Sequence, residues 1–375
     1  MTEPARLHER PVAVIGGGIA GLTVAAALAR RGASVTVHER AEALREVGAG
    51  IQISPNARRV LDALGLADRL EAISARAEAV ELRDASGRRV TRLDLQSQRP
   101  GETFHFVHRA RLLALLEEAA RSSGVTIRLG EAVEDVPDAA LIVGADGLHS
   151  QQRERLNGSG RPFFTGQAAW RALIPAEANP APVAQVFMGP GRHLVSYPLG
   201  EGLRNIVGVR ETDDWTAEGW SREDDPAAMR AAFQGFGGPV HDWLAKVERC
   251  GWWGLFRHEV ARHWHDGRRV LIGDAAHPTL PFLAQGACMA IEDAWRLAVH
   301  LDRTPQAEAL AAFEAERRPR VTRIVDAATA NARNYHLTGL PKVAAHTFLR
   351  VGAWVAPGAV FGRYAWVYDY DPTVE

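Results

Sequence analysis

Cysteine is nearly absent: Cys250 and Cys288 are the only two in the chain. Two thiols build no disulfide framework, and no His/Cys run has metal-ligand spacing. No metal site is therefore expected, and a reducing cytoplasm is the expected setting. A surplus of either charge is also missing. Lys and Arg total 44 against 45 Asp and Glu, a formal net charge of −1, so neither nucleic acid nor a membrane is an expected partner. Met1 to Arg10 is polar and carries no apolar signal core. The most apolar late stretch, Phe348 to Tyr368, is interrupted by Arg350, Pro357, Arg363 and glycines, which argues against a spanning helix. No internal repeat is visible. What remains is an ordinary globular composition, 46% hydrophobic and 24% charged over 375 residues, enough for about two domains.

What the chain does have is a glycine turn, Gly16-Gly17-Gly18-Ile19-Ala20-Gly21. It follows the apolar run Val12–Ile15 and leads into a helical pattern, the order a dinucleotide fingerprint requires. Gly16 makes the turn, Gly18 admits a pyrophosphate to the backbone, and Gly21 seats the helix on the strand. The helix N-terminus then faces the phosphates. A second apolar run ends at Glu39, where an acid binds ribose hydroxyls. Ala20 and Arg40 join the candidate cofactor set. This stretch leaves open which dinucleotide binds, and no second such turn follows a strand elsewhere.

Two more strand-to-turn motifs pair glycine with an acid: Gly144-Ala145-Asp146-Gly147 and Gly273-Asp274-Ala275-Ala276-His277-Pro278. Strand ends of a doubly wound sheet converge on one crevice, so all three turns can meet one extended ligand. Taken singly, Asp146 and Asp274 read equally well as turn residues or helix caps.

The element order predicts an α/β protein. A discontinuous, Rossmann-type dinucleotide-binding domain occupies residues 1–75, 100–162 and 265–335, with a strand-rich insertion at about 76–107. In that insertion a hairpin joins Ala79–Arg83 to Val90–Leu93. Residues 163–264 alternate in short strands and read as an antiparallel-sheet domain covering a substrate, with helix over 226–246. Long helices follow Gly286 through Asn334, and Pro319 is expected to kink or break them. Residues 336–375 form a tail, irregular with some helix.

These motifs together resemble the FAD-dependent aromatic hydroxylases, the single-component flavoprotein monooxygenases, from about Val12 to Asp371. Gly273–Pro278 followed by Gln285-Gly286 and Ile291-Glu292-Asp293-Ala294 carries most of the resemblance, and Gly144–Ser150 with Arg153 matches a second family motif. Leu280–Ala290, Tyr197-Pro198-Leu199 and Tyr368-Asp369-Tyr370-Asp371 are similar to the salicylate, 3-hydroxybenzoate 6- and 6-hydroxynicotinate 3-hydroxylase branch. The resemblance implies that Gly16, Gly18 and Gly21 hold the FAD pyrophosphate and Glu39 the adenosine ribose. It further implies Val133 at adenine, Arg109 at the phosphate or ribityl region and Asp274 at the ribityl chain. Gln285, Gly286 and Ala287 would present backbone N–H groups to the flavin pyrimidine, and Pro281 would shape the loop beside the ring. Asp146 and Arg153 touch the cofactor region or serve structure alone; both readings stand. Ala284 occupies a position where the family often has Gly.

The implied reaction uses NADH or NADPH and O2. A flavin C4a-hydroperoxide transfers one oxygen atom to a small aromatic substrate, phenolic or hydroxy-N-heteroaromatic. The absent second nicotinamide-type turn fits the family. A homodimer is compatible with this reading. His193 and Tyr197, four apart on a strand pattern, share a face and match substrate-binding positions of the hydroxynicotinate branch, where a base would help ionise a ring hydroxyl. They read as readily as an ordinary histidine and a core aromatic. Gln52 faces the pocket or serves the sheet. Arg210 pairs with a substrate carboxylate or, more simply, faces solvent. The 3-hydroxybenzoate branch has His where this chain has Ser196 and Gln where it has Pro281, which disfavours that reaction. The rival readings are a same-fold epoxidase or oxidase of a non-phenolic substrate and a non-catalytic NAD-binding protein.

Overall fold

The structure is a computed structural model that describes residues 6–44, 50–133, 135–136, 138–213, 222–355, 358 and 362–374. Glu46 to Ala49, where the sequence Glu46-Val47-Gly48-Ala49-Gly50 predicts a loop feeding a short strand at Ile51–Ile53, lie outside these. Its organising layer is a five-stranded parallel sheet of β1 (Pro11–Ile15), β2 (Ser34–Glu39), β8 (Thr126–Leu129), β9 (Leu141–Gly144) and β16 (Arg269–Leu271), in the order β16-β9-β1-β2-β8. The central strands are continuous apolar runs because both of their faces are covered. Helix α1 (Ile19–Ala29) is apolar all round and buried nearly throughout, as a helix enclosed on every side must be. It packs against β2, α5 (Arg109–Ser122) and α9 (Gly286–Arg303).

A second, eight-stranded sheet forms the roof. Its strands are β5 (Ala79–Asp84), β6 (Arg89–Asp94), β10 (Phe163–Pro175), β11 (Val183–Gly189), β12 (Arg192–Pro198), β13 (Leu203–Glu211), β14 (Arg222–Asp224) and β15 (Cys250–Arg257), in the order β14-β15-β10-β13-β12-β11-β5-β6. The hairpin of the 76–107 segment is thus the outer edge of this sheet. The pairings within residues 163–264 are antiparallel, as expected, and the hairpin of the insertion is added to them through β5, which joins β11 in parallel. A hairpin leaves an open row of N–H and C=O groups on β5, and β11 satisfies it. One roof face packs Trp170, Phe187, Leu194 and Ile206 under α7 (Pro226–Ala232) and α8 (Val240–Ala245). By strand alternation the other face looks toward the parallel sheet.

A three-stranded sheet of β3 (Gly50–Ile53), β7 (His105–His108) and β4 (Ser74–Arg76) walls the space between. Helix α3 (Ala67–Ala72) packs on β4, α2 (Pro55–Ala63) on α3 and α9, α4 (Leu95–Gln98) on β5 and β6, and α6 (Gln151–Asn157) beside β16. Gly65 follows α2 at φ 69°, the left-handed stop that its position suggests.

Of the two outcomes expected at Pro319, a kink or a break, the break does not occur: helix α10 (Gln306–Tyr335) runs through the proline without ending. Phe313, Arg317, Val321 and Ile324 bury their side chains on both sides of the proline, and this packing outweighs the missing backbone bond. Within the tail, Gly339–Val355 is one helix, α11. Its outward residues Leu340, Val343, Phe348 and Val351 are apolar and exposed, which hides the two-sided pattern that would reveal a surface helix. Among the described residues, no helix is long and apolar enough to cross a membrane.

Candidate active site

Between the two large sheets lies a cavity of about 760 Å³. Its floor begins at the α1 N-terminus. An ideal Cβ on Gly18 would meet no atom within 4 Å, whereas one on Gly21 would sit 1.9 Å from the Gly16 carbonyl oxygen. Gly16 has φ +105°, and its Cβ would lie 2.4 Å from the Ala145 carbonyl. The turn is therefore closed on its protein side and open at Gly18, which lines the cavity. No side chain caps α1 and no acid stands in its first turn, so its N-terminal N–H groups favour an anion. The cavity runs on past Ala145, Gly147, Asp274 and Arg109 to the α9 N-terminus at Gly286 and Ala287. Like α1, α9 has no side-chain cap. An open cradle at one end, a carboxylate midway and a second helix N-terminus fit a long dinucleotide carrying a polyol chain and a ring.

Asp274 opens onto this cavity although protein surrounds it. Burial raises its pKa, with His277 and Arg109 pulling the other way. A buried ion network holds the Asp274 loop. Asp293 accepts from the Gly273 N–H at 3.0 Å, from Arg317 Nε at 2.8 Å, and meets His277 Nε2. Glu292 binds Arg317 and Arg320 at 2.6 and 2.8 Å. Gln285 spends its side chain locally, donating to Ser54 Oγ at 2.9 Å and accepting from Asn56 at 3.0 Å, so only its main chain can serve a ligand. Ala284 adopts φ +53°, a strained conformation that glycine would take at no cost.

The roof supplies the other wall. Alternation along β12 sends His193, Val195 and Tyr197 to the cavity. His193 is 1% exposed and stands edge-on to Phe282 and Tyr335. Burial and neighbouring His336 lower its pKa well below the usual value. Tyr197 packs 4.9 Å from Phe106, and burial raises its pKa. Pro281, in a short 3₁₀ turn, and Gln52, from β3, complete this end.

One lining residue escapes the sequence reading. Arg171 lies in register with Val207, which is in register with Val195, so it shares the cavity face. Its Nε is buried without a hydrogen-bond partner, and its guanidinium stacks 5.5 Å from the Trp253 ring. Burial lowers its pKa. The signal was an arginine inside an apolar strand whose i±2 neighbours, Ala169 and Leu173, are small or apolar. The same feature drew attention to Arg210, but the structure puts Arg210 on the opposite roof face, exposed over Trp170 and Trp252. Its neighbour Val209 faces the cavity instead.

Other candidates sit behind the lining. Glu39 accepts from the Gly17 and Ala41 N–H groups at 2.7 and 2.9 Å, beside the turn. Arg40 is exposed next to it, and Val133 packs beside Ala13 and Ile15. The Asp146 carboxylate is engaged by Ser150 Oγ and the Gln152 N–H. Arg153 donates to the carbonyls of Ala275, Ala276 and Glu259, so this motif ties the second turn to the third.

The chain matches the model of a family described as FAD binding domain over residues 9–139 and 130–328. It is 37% identical to a 3-amino-4-hydroxybenzoate 2-monooxygenase of Streptomyces platensis, with 97% of each chain covered. It is 33% identical to a 6-hydroxynicotinate 3-monooxygenase of Bordetella bronchiseptica, covering 84% of this chain and 90% of that one. The crystal structure of Klebsiella pneumoniae HpxO, complexed with FAD and uric acid, superposes with a TM-score of 0.82 at 26% identity, covering 95% and 97%. With the cradle at Gly18, the Asp274 loop and the roofed cavity, these likenesses make the chain a member of the FAD-dependent aromatic hydroxylases, flavoprotein monooxygenases that insert one oxygen atom into an aromatic substrate.

Proposed function

We propose that this enzyme hydroxylates a phenolic or hydroxy-N-heteroaromatic acid in the cytoplasm, with NADH or NADPH as reductant. The observation that carries the substrate class is the cavity face of the roof. Arg171, a cation whose Nε is buried and which has no carboxylate paired to it among the described residues, lies on the same face as His193 and Tyr197. A ring bearing a carboxylate and a hydroxyl answers both groups. The aminohydroxybenzoate and hydroxynicotinate relatives act on molecules of this kind.

In this reading Gly16, Gly18, Ala20 and Gly21 hold the FAD pyrophosphate. Glu39, Arg40 and Val133 serve its adenosine end, and Arg109, Asp146 and Asp274 its middle. Gln285, Gly286 and Ala287 turn the α9 N-terminus toward the ring, where it stabilises negative charge. Bound FAD supplies the reduction of O2 and the transfer of one oxygen atom. Arg171 orients the substrate through its carboxylate. His193 takes the ring hydroxyl's proton, which raises the electron density of the ring. Tyr197 and Gln52 fix the ring plane, and Pro281 with Phe282 excludes water beside it. A homodimer belongs to the same proposal, supported by the exposed apolar stripe of α11 and tested by solution mass.

The deciding experiment measures NAD(P)H oxidation and hydroxylated product over aminohydroxybenzoates, hydroxybenzoates, hydroxynicotinates and the matching phenols without a carboxylate. Stoichiometric product from an acid, with its carboxyl-free analogue poorer, is expected. Stimulation by the phenols alone, or by none of the panel, overturns the acid assignment.

A further inference from the structure

We propose that His193, His336 and Glu211 form a relay that carries the substrate's hydroxyl proton out of the closed cavity to solvent. The inference rests on the reading that His193 meets that hydroxyl. Three observations carry it. His193 lines the cavity with 1% exposure, and its Nδ1 lies 2.8 Å from His336 Nε2. His336, 7% exposed, follows the end of α10, and its Nδ1 lies 2.7 Å from Glu211 Oε1. The Glu211 side chain, at the end of β13, is 55% exposed. The chain of contacts therefore begins at the buried cavity and ends in water.

The hydrogen-bond directions follow from one fixed end. An ionised carboxylate only accepts, so His336 carries its proton on Nδ1. Its Nε2 is then a lone pair and accepts from His193 Nδ1–H. That leaves His193 Nε2 as a bare lone pair with no protein partner among the described residues, the form a general base needs. The surroundings favour passage over storage. His193 faces His336, Phe282 and the Tyr335 ring, with no carboxylate beside it to hold an imidazolium. His336 faces Glu211 on one side and the positive Arg192 on the other. A second proton on either ring is costly, and one passed through in a chain is not.

The transfer balances. The substrate O–H bond breaks as an N–H bond forms at His193 Nε2. The His193 Nδ1–H proton moves to His336 Nε2, and the His336 Nδ1–H proton moves to Glu211 and then to water. Both imidazoles stay neutral, in their other tautomer, and the substrate is left as its anion. The same three transfers run backward when the product oxygen takes a proton, which restores the starting tautomers.

The test uses the FAD-loaded enzyme without oxygen. It is mixed with 3-amino-4-hydroxybenzoate, or with the best acid of the panel above, and proton release to an indicator dye is followed in stopped flow. Glu211→Gln keeps an acceptor oxygen on an exposed side chain but cannot take a proton. Glu211→Gln and His336→Phe are expected to slow proton release at least tenfold at neutral pH while the substrate Kd stays within about threefold. A small diffusible base such as imidazole is expected to restore the rate in His336→Phe. His193→Gln is expected to abolish release. If His193→Gln abolishes release and Glu211→Gln releases at the wild-type rate, the relay is wrong and the base assignment stands. If His193→Gln changes nothing, the base assignment fails and the relay falls with it. Should His336→Phe lose its flavin or fold, Glu211→Gln alone decides.

Discussion

Arg317 Nε donates to Asp293 Oδ1 at 2.8 Å, and neither side chain reaches solvent. The pair sits one shell behind the cavity, yet Asp293 also holds the Gly273 N–H and His277. Removing one partner of such a buried pair costs about 3–5 kcal/mol, because the other charge is left uncompensated. Asp293→Asn is therefore expected to lower the urea midpoint markedly and to loosen FAD retention. An unchanged midpoint would show that Glu292 alone satisfies Arg317.

The same carboxylate sets an acid limit. Burial opposes its ionisation, but His277 and Arg317 hold its pKa down to about 2, below the ordinary 3.8. A depressed folded-state pKa contributes stability above the unfolded value and loses it as pH falls through the folded one. The contribution, about 2 kcal/mol, is whole above about pH 4 and lost toward pH 2. Glu316, also held at about 2 against burial by His300, Tyr370 and Arg296, adds to this window. Unfolding free energy is expected to fall steeply from pH 4 to 3, with the slope reduced by about one proton in Asp293→Asn.

Two glycines of the first turn separate binding from folding. Gly18→Ala adds a methyl into open space, so apo-protein melting is expected to be unchanged while FAD binds at least about tenfold more weakly, roughly 1.4 kcal/mol. Gly21→Ala puts a Cβ 1.9 Å from the Gly16 oxygen and is expected to destabilise the apo-protein itself by about 1–3 kcal/mol. Titration of each apo-variant with FAD, beside its melting curve, distinguishes the two outcomes. Equal behaviour would remove the assignment of Gly18 to the phosphates.

Arg171 and Arg210 form a matched pair on opposite faces of one sheet. Arg171→Met is expected to raise KM for the aromatic acid roughly ten- to hundredfold, the worth of about 1.5–3 kcal/mol for a hydrogen bond to a charge. Flavin absorbance should persist. Arg210→Ala is expected to leave KM within about twofold. The reverse pattern in steady-state kinetics would return the carboxylate to Arg210.

The three strand-turn motifs were legible because each packs a local rule into a few residues: an apolar strand, a glycine, an acid. His193 and Tyr197 could be placed on one face because a strand has a period of two. The identity of that face was not legible, since Arg171 and Arg210 look alike until the register of β10 with β13 is known. Nor was the link from His193 to His336, which joins residues 143 apart by packing alone. At Pro319 the break that the local rule allows does not occur, because buried side chains on both sides hold the helix together.

The bonds from Ser54 and Asn56 to Gln285 have a consequence in time as well as space. Asn56 meets a partner 229 positions later. At about 5–20 residues per second, a ribosome needs on the order of ten seconds or more to deliver it. Throughout that interval the glycine turn has emerged without α9 to cover α1. Until then α1 can pack against β2 and α5 but its α9 side stays uncovered. Chains terminated before Gln285 lack α9 and the partner of Asn56, and are expected to retain no flavin.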